Sequence, residues 1–218
     1  MVRGARDQRY RCRQRSVRRN HAGEASRSAQ GQAVARGSVT TDAPGSAHKA
    51  GRGYPLLITA ELPGDVLAWA DGLRRAHYPP ERNRLRAHVT LFHALPPSAE
   101  GEIKRLLAEL SRGPPPLARV SGIMNLGKGT AFDIDSPDMV ELHGVIADRM
   151  HGLMTPQDAQ KLRLHVTVQN KVTPEKARAL QAELKAVLEP FSFRFRGFGL
   201  YGWEEGLWRP IRDFPFRK

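Results

Sequence analysis

Apolar residues along the chain follow two periods, one typical of strands and one typical of helices, and both patterns begin near Tyr54. Short apolar or alternating runs predict strands, because side chains two residues apart share one face of a strand. Apolar residues spaced i, i+3, i+4 and i+7 predict amphipathic helices instead. Proline, glycine and serine residues lie between the runs and mark where elements begin and end.

Strands are predicted at 56–62, in the segments 85–90 and 162–167, at 117–124 and 131–134, along the alternating Phe191, Phe193 and Phe195, and in a terminal hairpin of 200–203 with 207–211. Helices are predicted on the apolar faces Val66, Leu67, Ala70, Leu73; Ile103, Leu106, Leu107, Leu110; Met139, His143, Ile146, Met150; and Ala177, Leu180, Leu184, Val187. Ser136-Pro137 and Thr173-Pro174 are predicted to begin the last two helices. Each half of this region therefore predicts strand, helix, strand, helix and strand, with extra strands added.

One six-residue segment occurs twice in this pattern. Residues 85–90 are Leu-Arg-Ala-His-Val-Thr and residues 162–167 are Leu-Arg-Leu-His-Val-Thr. A lone His-x-Thr means little, but two copies in the same frame, each followed by an amphipathic helix pattern, indicate an internal duplication. If a pseudo-twofold axis relates the two strands, two imidazoles and two hydroxyls converge on one cleft. The four side chains are those of His88, Thr90, His165 and Thr167.

Such a set suits an acid–base reaction on a phosphodiester. Histidine titrates near neutral pH, so a neutral imidazole can take a proton while a charged partner gives one. Threonine hydroxyls can donate hydrogen bonds to the non-bridging oxygens of a phosphate, and the reaction then requires no metal. The alternative is a pair of half-buried strand residues that form only local hydrogen bonds.

The paired His-Val-Thr motifs resemble the two-histidine (2H) phosphoesterase superfamily, and most of all its bacterial 2′-5′ RNA ligase / RNA 2′,3′-cyclic phosphodiesterase branch. The likeness covers about residues 54–216. It implies that His88 and His165 are the catalytic pair, that Thr90 and Thr167 bind phosphate, and that no metal or other cofactor takes part. Together with the element order it predicts an α+β fold of two pseudo-symmetric lobes, about 54–115 and 116–218, whose antiparallel sheets face a central cleft.

Strand alternation predicts three further substrate contacts. Phe92 continues the face of His88 and Thr90, and Gln169 and Lys171 continue the face of the second motif. Phe92 could stack on a base, and Gln169 or Lys171 could contact phosphate or sugar. The competing interpretation of Phe92 is a core residue.

Residues 1–53 differ from the rest in composition. They carry most of the formal net charge of +13 and almost no aliphatic side chains, so we expect a disordered basic tail. Three interpretations of this tail stay open: attraction of RNA by charge, an organelle presequence, and a translation start nearer Tyr54.

Other classes of function find little support in the sequence. The single cysteine, Cys12, lies in the tail, which excludes disulfides and thiolate sites in the rest of the chain and favours a reducing cytoplasm. No run approaches the roughly 20 apolar residues of a membrane span. We therefore expect a monomeric cytoplasmic phosphodiesterase for RNA cyclic phosphate ends or 2′-5′ linkages. The alternatives are a small cyclic nucleotide or ADP-ribose cyclic phosphate as substrate, and a non-catalytic RNA-binding protein.

Overall fold

An antiparallel sheet with strands from both halves of the chain forms the centre of the fold. The computed structural model describes residues 54–205 and 207–217, so the predicted tail of residues 1–53 lies outside the described residues. The strands of the described part are β1 (Leu56–Glu61), β2 (Val89–Leu95), β3 (Leu117–Asn125), β4 (Thr130–Asp135), β5 (His165–Gln169), β6 (Phe191–Arg194), β7 (Gly197–Glu204) and β8 (Leu207–Pro215). Their order in the sheet is β6-β3-β4-β5-β2-β1-β7-β8.

Four helices of the described part connect these strands where the apolar stripes predicted them. They are α1 (Gly64–His77), α2 (Glu100–Leu110), α3 (Pro137–Arg149) and α4 (Pro174–Val187). The Ser136 hydroxyl accepts a hydrogen bond from the backbone N–H of Met139, and the Thr173 hydroxyl accepts one from Lys176, so both predicted N-caps are present.

The two halves of the sheet place equivalent strands in mirrored order. A motif strand lies innermost in each half, β5 in one and β2 in the other, and the strand that precedes it along the chain, β4 or β1, lies just outside it. The predicted α+β class with antiparallel strands is confirmed, and the two halves join edge to edge into one sheet. The predicted lobe boundaries need a correction, because β7 pairs along the whole of β1 and brings β8 with it. The half that contains β1 and β2 therefore takes strands from both ends of the described chain.

The helices α1, α3 and α4 pack on one face of the sheet. Trp69 of α1 packs on Phe132 of β4 with ring centroids 4.4 Å apart, and His143 of α3 stacks on Phe92 of β2 at 4.5 Å. The Thr130 hydroxyl of β4 donates a hydrogen bond to the Ala177 carbonyl of α4 at 3.3 Å. Side chains that alternate with Phe132 therefore lie on the opposite face, away from α1.

The join between the halves is short. Val89 of β2 is the register partner of Val166 of β5. The segment that precedes β5 makes a further contact with β2 through the carboxylate of Asp158. Asp158, whose side chain is fully buried, accepts hydrogen bonds from the backbone N–H of His93 at 2.8 Å and of Ala94 at 3.1 Å. Asp158 thereby satisfies two backbone donors near the end of β2.

Both motif strands contain a register shift just after their threonine. In β1–β2, Thr59 pairs with Thr90 but Ile58 pairs with Phe92, so Leu91 is an extra residue. In β4–β5, Ala131 pairs with Thr167 but Thr130 pairs with Gln169, so Val168 is the extra residue. An extra residue of this kind is a β-bulge, and it reverses the alternation for the side chains that directly follow it in the strand.

Candidate active site

The register between β2 and β5 brings the two motifs together. Val89 pairs with Val166, and in an antiparallel pair the neighbours on either side are then also opposite each other. His88 therefore lies opposite Thr167, and His165 lies opposite Thr90. Val89 and Val166 point toward the helices with Phe132, which is the register partner of Val166. The four motif side chains consequently share the other face, where directly opposite Cβ atoms are about 4.5–5.5 Å apart.

Both imidazoles are held in the same way. The Nδ1 atom of His88 lies 2.6 Å from the carbonyl oxygen of Arg86, and Nδ1 of His165 lies 2.7 Å from that of Arg163. A carbonyl can only accept a hydrogen bond, so each Nδ1 must carry the proton. The Nε2 atom of each ring is thus a proton acceptor when the ring is neutral and a donor when it is charged. Two identical local hydrogen bonds prepare two nitrogen atoms for proton transfer.

The threonine hydroxyls of the motifs complete the group. Thr90 and Thr167 are both half-buried, and no residue of the described part forms a hydrogen bond with either hydroxyl. A phosphate oxygen that reached this face could accept a hydrogen bond from each of them.

The charges around His88 act in opposite directions. Burial lowers the pKa of His88, and the positive charges of Arg74 and His165 lower it further. The hydrogen bond to the Arg86 carbonyl and the negative charge of Glu61 act against this decrease without cancelling it. The net result is a pKa below that of a free imidazole, so His88 is neutral at pH 7.

Arg74 of α1 links the two motifs from the helix side. Its guanidinium donates to the carbonyl of Thr167 at 2.8 Å, to the carbonyl of Leu85 at 3.1 Å and to the Asn83 side chain at 3.0 Å. It also stacks on the Tyr78 ring, 4.4 Å from the ring centroid. A single buried side chain thus fixes a residue of the second motif and the segment that leads into the first.

A second residue of α1 holds the same segment. An oxygen of Asp71 accepts a hydrogen bond from the backbone N–H of Ala87 at 2.6 Å, immediately before His88. The position of His88 is therefore set by α1 as well as by β2, which begins at the next residue.

Each imidazole has an acidic residue as its outer neighbour. The register of β1 and β2 continues from Thr59–Thr90 and Ala60–Val89 to place Glu61 beside His88. On the other side, Asp133 of β4 is the register partner of His165. The two halves thus place a carboxylic acid at equivalent positions of the same face.

Two of the three further contacts predicted from strand alternation lie on the wrong face. Phe92 is fully buried and stacked on His143, so it cannot contact a substrate on the motif face. Gln169 is buried and accepts a hydrogen bond from the Thr130 hydroxyl at 3.2 Å. The bulges at Leu91 and Val168 are the reason, since each reverses the alternation just before these residues. Lys171 is exposed but lies beyond the end of β5, in the left-handed region with φ 59°, so alternation says nothing about its direction.

Sequence reasoning did not identify Arg74, Glu61 or Asp133 as part of this site. Arg74 follows Ala70 by four residues and therefore lies on the apolar stripe of α1, an unusual place for a charged side chain. Glu61 and Asp133 are acidic residues in or at the end of apolar strand runs, which is also unusual. Charged residues at otherwise apolar positions were the feature of the sequence from which these three residues could have been predicted.

Among residues 54–205 and 207–217 no group of three or more His, Cys, Asp or Glu side chains is placed to hold a metal ion. Over the same residues, no helix has both the length and the apolar character that a membrane crossing requires.

Comparison with known proteins supplies the family. The sequence pattern of the 2′-5′ RNA ligase superfamily matches residues 62–207, which is most of the described chain and includes both motifs. The chain belongs to this superfamily and is a 2H phosphoesterase. The resemblance inferred from the motifs is therefore confirmed. No curated protein matches this sequence significantly.

Solved structures of distant relatives share the fold. LigT of E. coli, crystallised in complex with 3′-AMP, superposes with a TM-score of 0.53 at 17% sequence identity, covering 77% of this chain and 100% of LigT. TT0787 of Thermus thermophilus superposes with a TM-score of 0.52 at 16% identity, covering 75% of this chain and 98% of TT0787. A further structure described as a phosphoesterase gives a TM-score of 0.51 at 18% identity, over 77% of this chain and 100% of its own.

The role of Arg74 can be tested with the substitution Arg74→Lys. Lysine keeps the charge but loses the planar fork, so at least two of the three hydrogen bonds are lost and partly buried acceptors are left without this partner. We expect the free energy of unfolding in urea to fall by about 2–4 kcal/mol. We also expect kcat/KM to fall about 10- to 100-fold, because the motifs lose their relative position.

The neighbouring residue offers a matched control. Arg75 is exposed on the same helix turn, and Arg75→Lys should change the free energy of unfolding by less than about 0.5 kcal/mol. Equal unfolding curves and equal kcat/KM for the two variants would show that Arg74 does not position the motifs.

Proposed function

We propose that this 2H phosphoesterase is a metal-independent phosphodiesterase that acts on RNA 2′,3′-cyclic phosphate ends or on 2′-5′ linkages. The observation that carries the proposal is the matched orientation of two imidazoles. Both Nδ1 atoms are bonded to a carbonyl two residues earlier, and both rings share one face with two threonine hydroxyls. A pair of proton-transfer groups beside two hydroxyl donors fits a pentacoordinate phosphorus better than it fits simple binding.

The hydrolysis can be written with these four residues and one water molecule. A water oxygen attacks phosphorus while Nε2 of one histidine takes the water proton. The bond from phosphorus to one ribose oxygen breaks, and Nε2–H of the other histidine gives that oxygen a proton. The threonine hydroxyls stabilise the charge on the non-bridging oxygens. His88 is the better candidate for the base, because its lowered pKa keeps it neutral at pH 7.

The comparison with E. coli LigT supports a ribonucleotide substrate. That protein has been crystallised with 3′-AMP, which carries its phosphate on the ribose 3′ oxygen. The same oxygen is one of the two that a 2′,3′-cyclic phosphate uses, so we propose that this chain also binds a ribose with phosphate at this position.

The direct test is incubation with a short RNA that ends in a 2′,3′-cyclic phosphate, followed by identification of the position of the product phosphate. We expect a linear 2′- or 3′-phosphate as the product. His88→Ala and His165→Ala should each lower kcat by about 10²–10⁴, and Thr90→Ala and Thr167→Ala should have smaller effects. A folded His variant with wild-type turnover would rule out the paired mechanism, and binding of RNA without turnover would favour an RNA-binding protein.

The proposal also predicts the dependence of the rate on pH and on metal ions. Acid charges the base and alkali discharges the acid, so kcat/KM should be bell-shaped, with apparent pKa values that belong to the coupled pair. Because burial lowers the pKa of His88, the acidic limb should lie below about pH 6.5, the value of a free imidazole. Activity should be unchanged in excess EDTA. Activity lost in EDTA and restored by Mn²⁺ would contradict a metal-independent reaction.

A further inference from the structure

Glu61 occupies the position beside His88 on the motif face. The register Thr59–Thr90 and Ala60–Val89 leads directly to Glu61 and His88 as the next pair. Directly opposite side chains in antiparallel strands have Cβ atoms about 4.5–5.5 Å apart. A carboxylate at this position is close enough to act on the charge of the imidazole.

Two hydroxyl groups hold the carboxylate of Glu61 in place. The Thr59 hydroxyl donates to its Oε1 atom at 2.6 Å, and the Tyr201 hydroxyl of β7 donates to the same atom at 3.1 Å. Burial raises the pKa of Tyr201, and the negative charges of Glu61 and of Asp213 on β8 raise it further. Tyr201 therefore keeps its proton and remains a donor to Glu61. No residue of the described part forms a hydrogen bond with Oε2, the other oxygen of Glu61.

A glycine in β7 leaves the space that this group of three side chains needs. Gly199 is the register partner of Thr59. A Cβ atom at Gly199 would collide with Oε1 of Glu61 and would lie 2.7 Å from both the Thr59 hydroxyl and the Tyr201 ring. Any larger residue at this position would displace Glu61 or break its two hydrogen bonds.

We infer that Glu61 is a positioning residue for the reaction: held by Thr59 and Tyr201, its carboxylate stabilises the charged form of His88 and so sets how readily that imidazole takes and releases a proton. The inference rests on the proposed function of His88 as a proton-transfer group. Glu61 acts from β1, while Arg74 on α1 and His165 on β5 act on His88 with the opposite sign. Without the carboxylate, burial and the charge of Arg74 would act on His88 with less opposition, and its pKa would fall further.

The other half of the sheet supplies a comparison. Asp133 is the register partner of His165, but no hydroxyl of the described part holds its carboxylate as Thr59 and Tyr201 hold that of Glu61. The two imidazoles therefore share the same kind of backbone hydrogen bond but have acidic neighbours that are held differently.

The test is an NMR titration of the His88 ring in the free protein, compared between wild type and Glu61→Gln. Glutamine keeps an oxygen that can accept from Thr59 and Tyr201 but removes the charge. Loss of the negative neighbour destabilises the imidazolium, so the titration midpoint of His88 should fall by about 0.5–1 pH unit. Glu109→Gln, which removes an exposed carboxylate on α2, is the control and should leave the midpoint unchanged.

Kinetics on a 2′,3′-cyclic phosphate substrate provide the second readout. In Glu61→Gln the acidic limb of the pH profile should move to lower pH, in the same direction as the NMR midpoint, and kcat/KM at its maximum should fall about 3- to 10-fold because the base is weaker. Glu61→Asp keeps the charge and should recover part of the loss. Tyr201→Phe keeps the carboxylate and removes one of its hydrogen bonds, so it should lower kcat/KM about 3- to 10-fold. Its effect on the NMR titration midpoint of His88 should be smaller than that of Glu61→Gln.

The two claims can fail separately. An unchanged His88 midpoint in Glu61→Gln would overturn the role of Glu61, whatever the enzyme hydrolyses. A lowered midpoint in a protein that hydrolyses no cyclic phosphate would uphold the electrostatic role of Glu61 and overturn the proposed function. If Glu61→Gln does not fold, Tyr201→Phe decides, because wild-type kcat/KM and an unchanged midpoint in that variant would overturn the inference.

Discussion

The arrangement of the site depends on the pairing of β2 with β5 at Val89 and Val166. Each motif strand brings its own imidazole, with Nδ1 already bonded to a carbonyl two residues earlier. Neither strand can place its imidazole beside the threonine of the other motif without this pair. A slip of one residue would turn one motif toward the helices, because side chains of a strand alternate between faces. The short join therefore fixes both the distance between the motifs and the face that they share.

Buried polar groups hold the join where ordinary strand hydrogen bonds do not. Asp158 satisfies the backbone donors of His93 and Ala94 at the far end of β2. Arg74 binds the carbonyls of Thr167 and Leu85 from the helix side. Removing Asp158 or Arg74 would leave partly buried backbone groups without their hydrogen-bond partners, which destabilises the fold. Asp158 and Arg74 thus fix the relative position of the two halves of the sheet, although β2 and β5 pair over only a short length.

The sequence predicted the α-helices and the motif residues, because both depend on local pattern, but the motif strands begin later than the predicted segments 85–90 and 162–167, at Val89 and His165. Apolar stripes located all four helices of the described chain, and the repeated Leu-Arg-x-His-Val-Thr segment located the four residues that the register brings together. The face predicted for Phe92 and Gln169 was wrong, because a β-bulge cannot be recognised from the alternation of apolar residues in the sequence. Arg74 and Glu61 were missed because their partners are far away in sequence, and only the folded chain shows that Glu61 meets Tyr201.

The central claim is that His88 and His165 act as one acid–base pair, and a double-mutant cycle on hydrolysis of a 2′,3′-cyclic phosphate tests it most directly. The cycle compares kcat/KM for wild type, His88→Ala, His165→Ala and the double variant, with folding of each checked by thermal unfolding. Groups that act as a unit show strongly non-additive losses. The account predicts that the double variant loses about as much as the worse single variant. Losses that multiply across the two substitutions would show that the imidazoles act independently and would contradict the account.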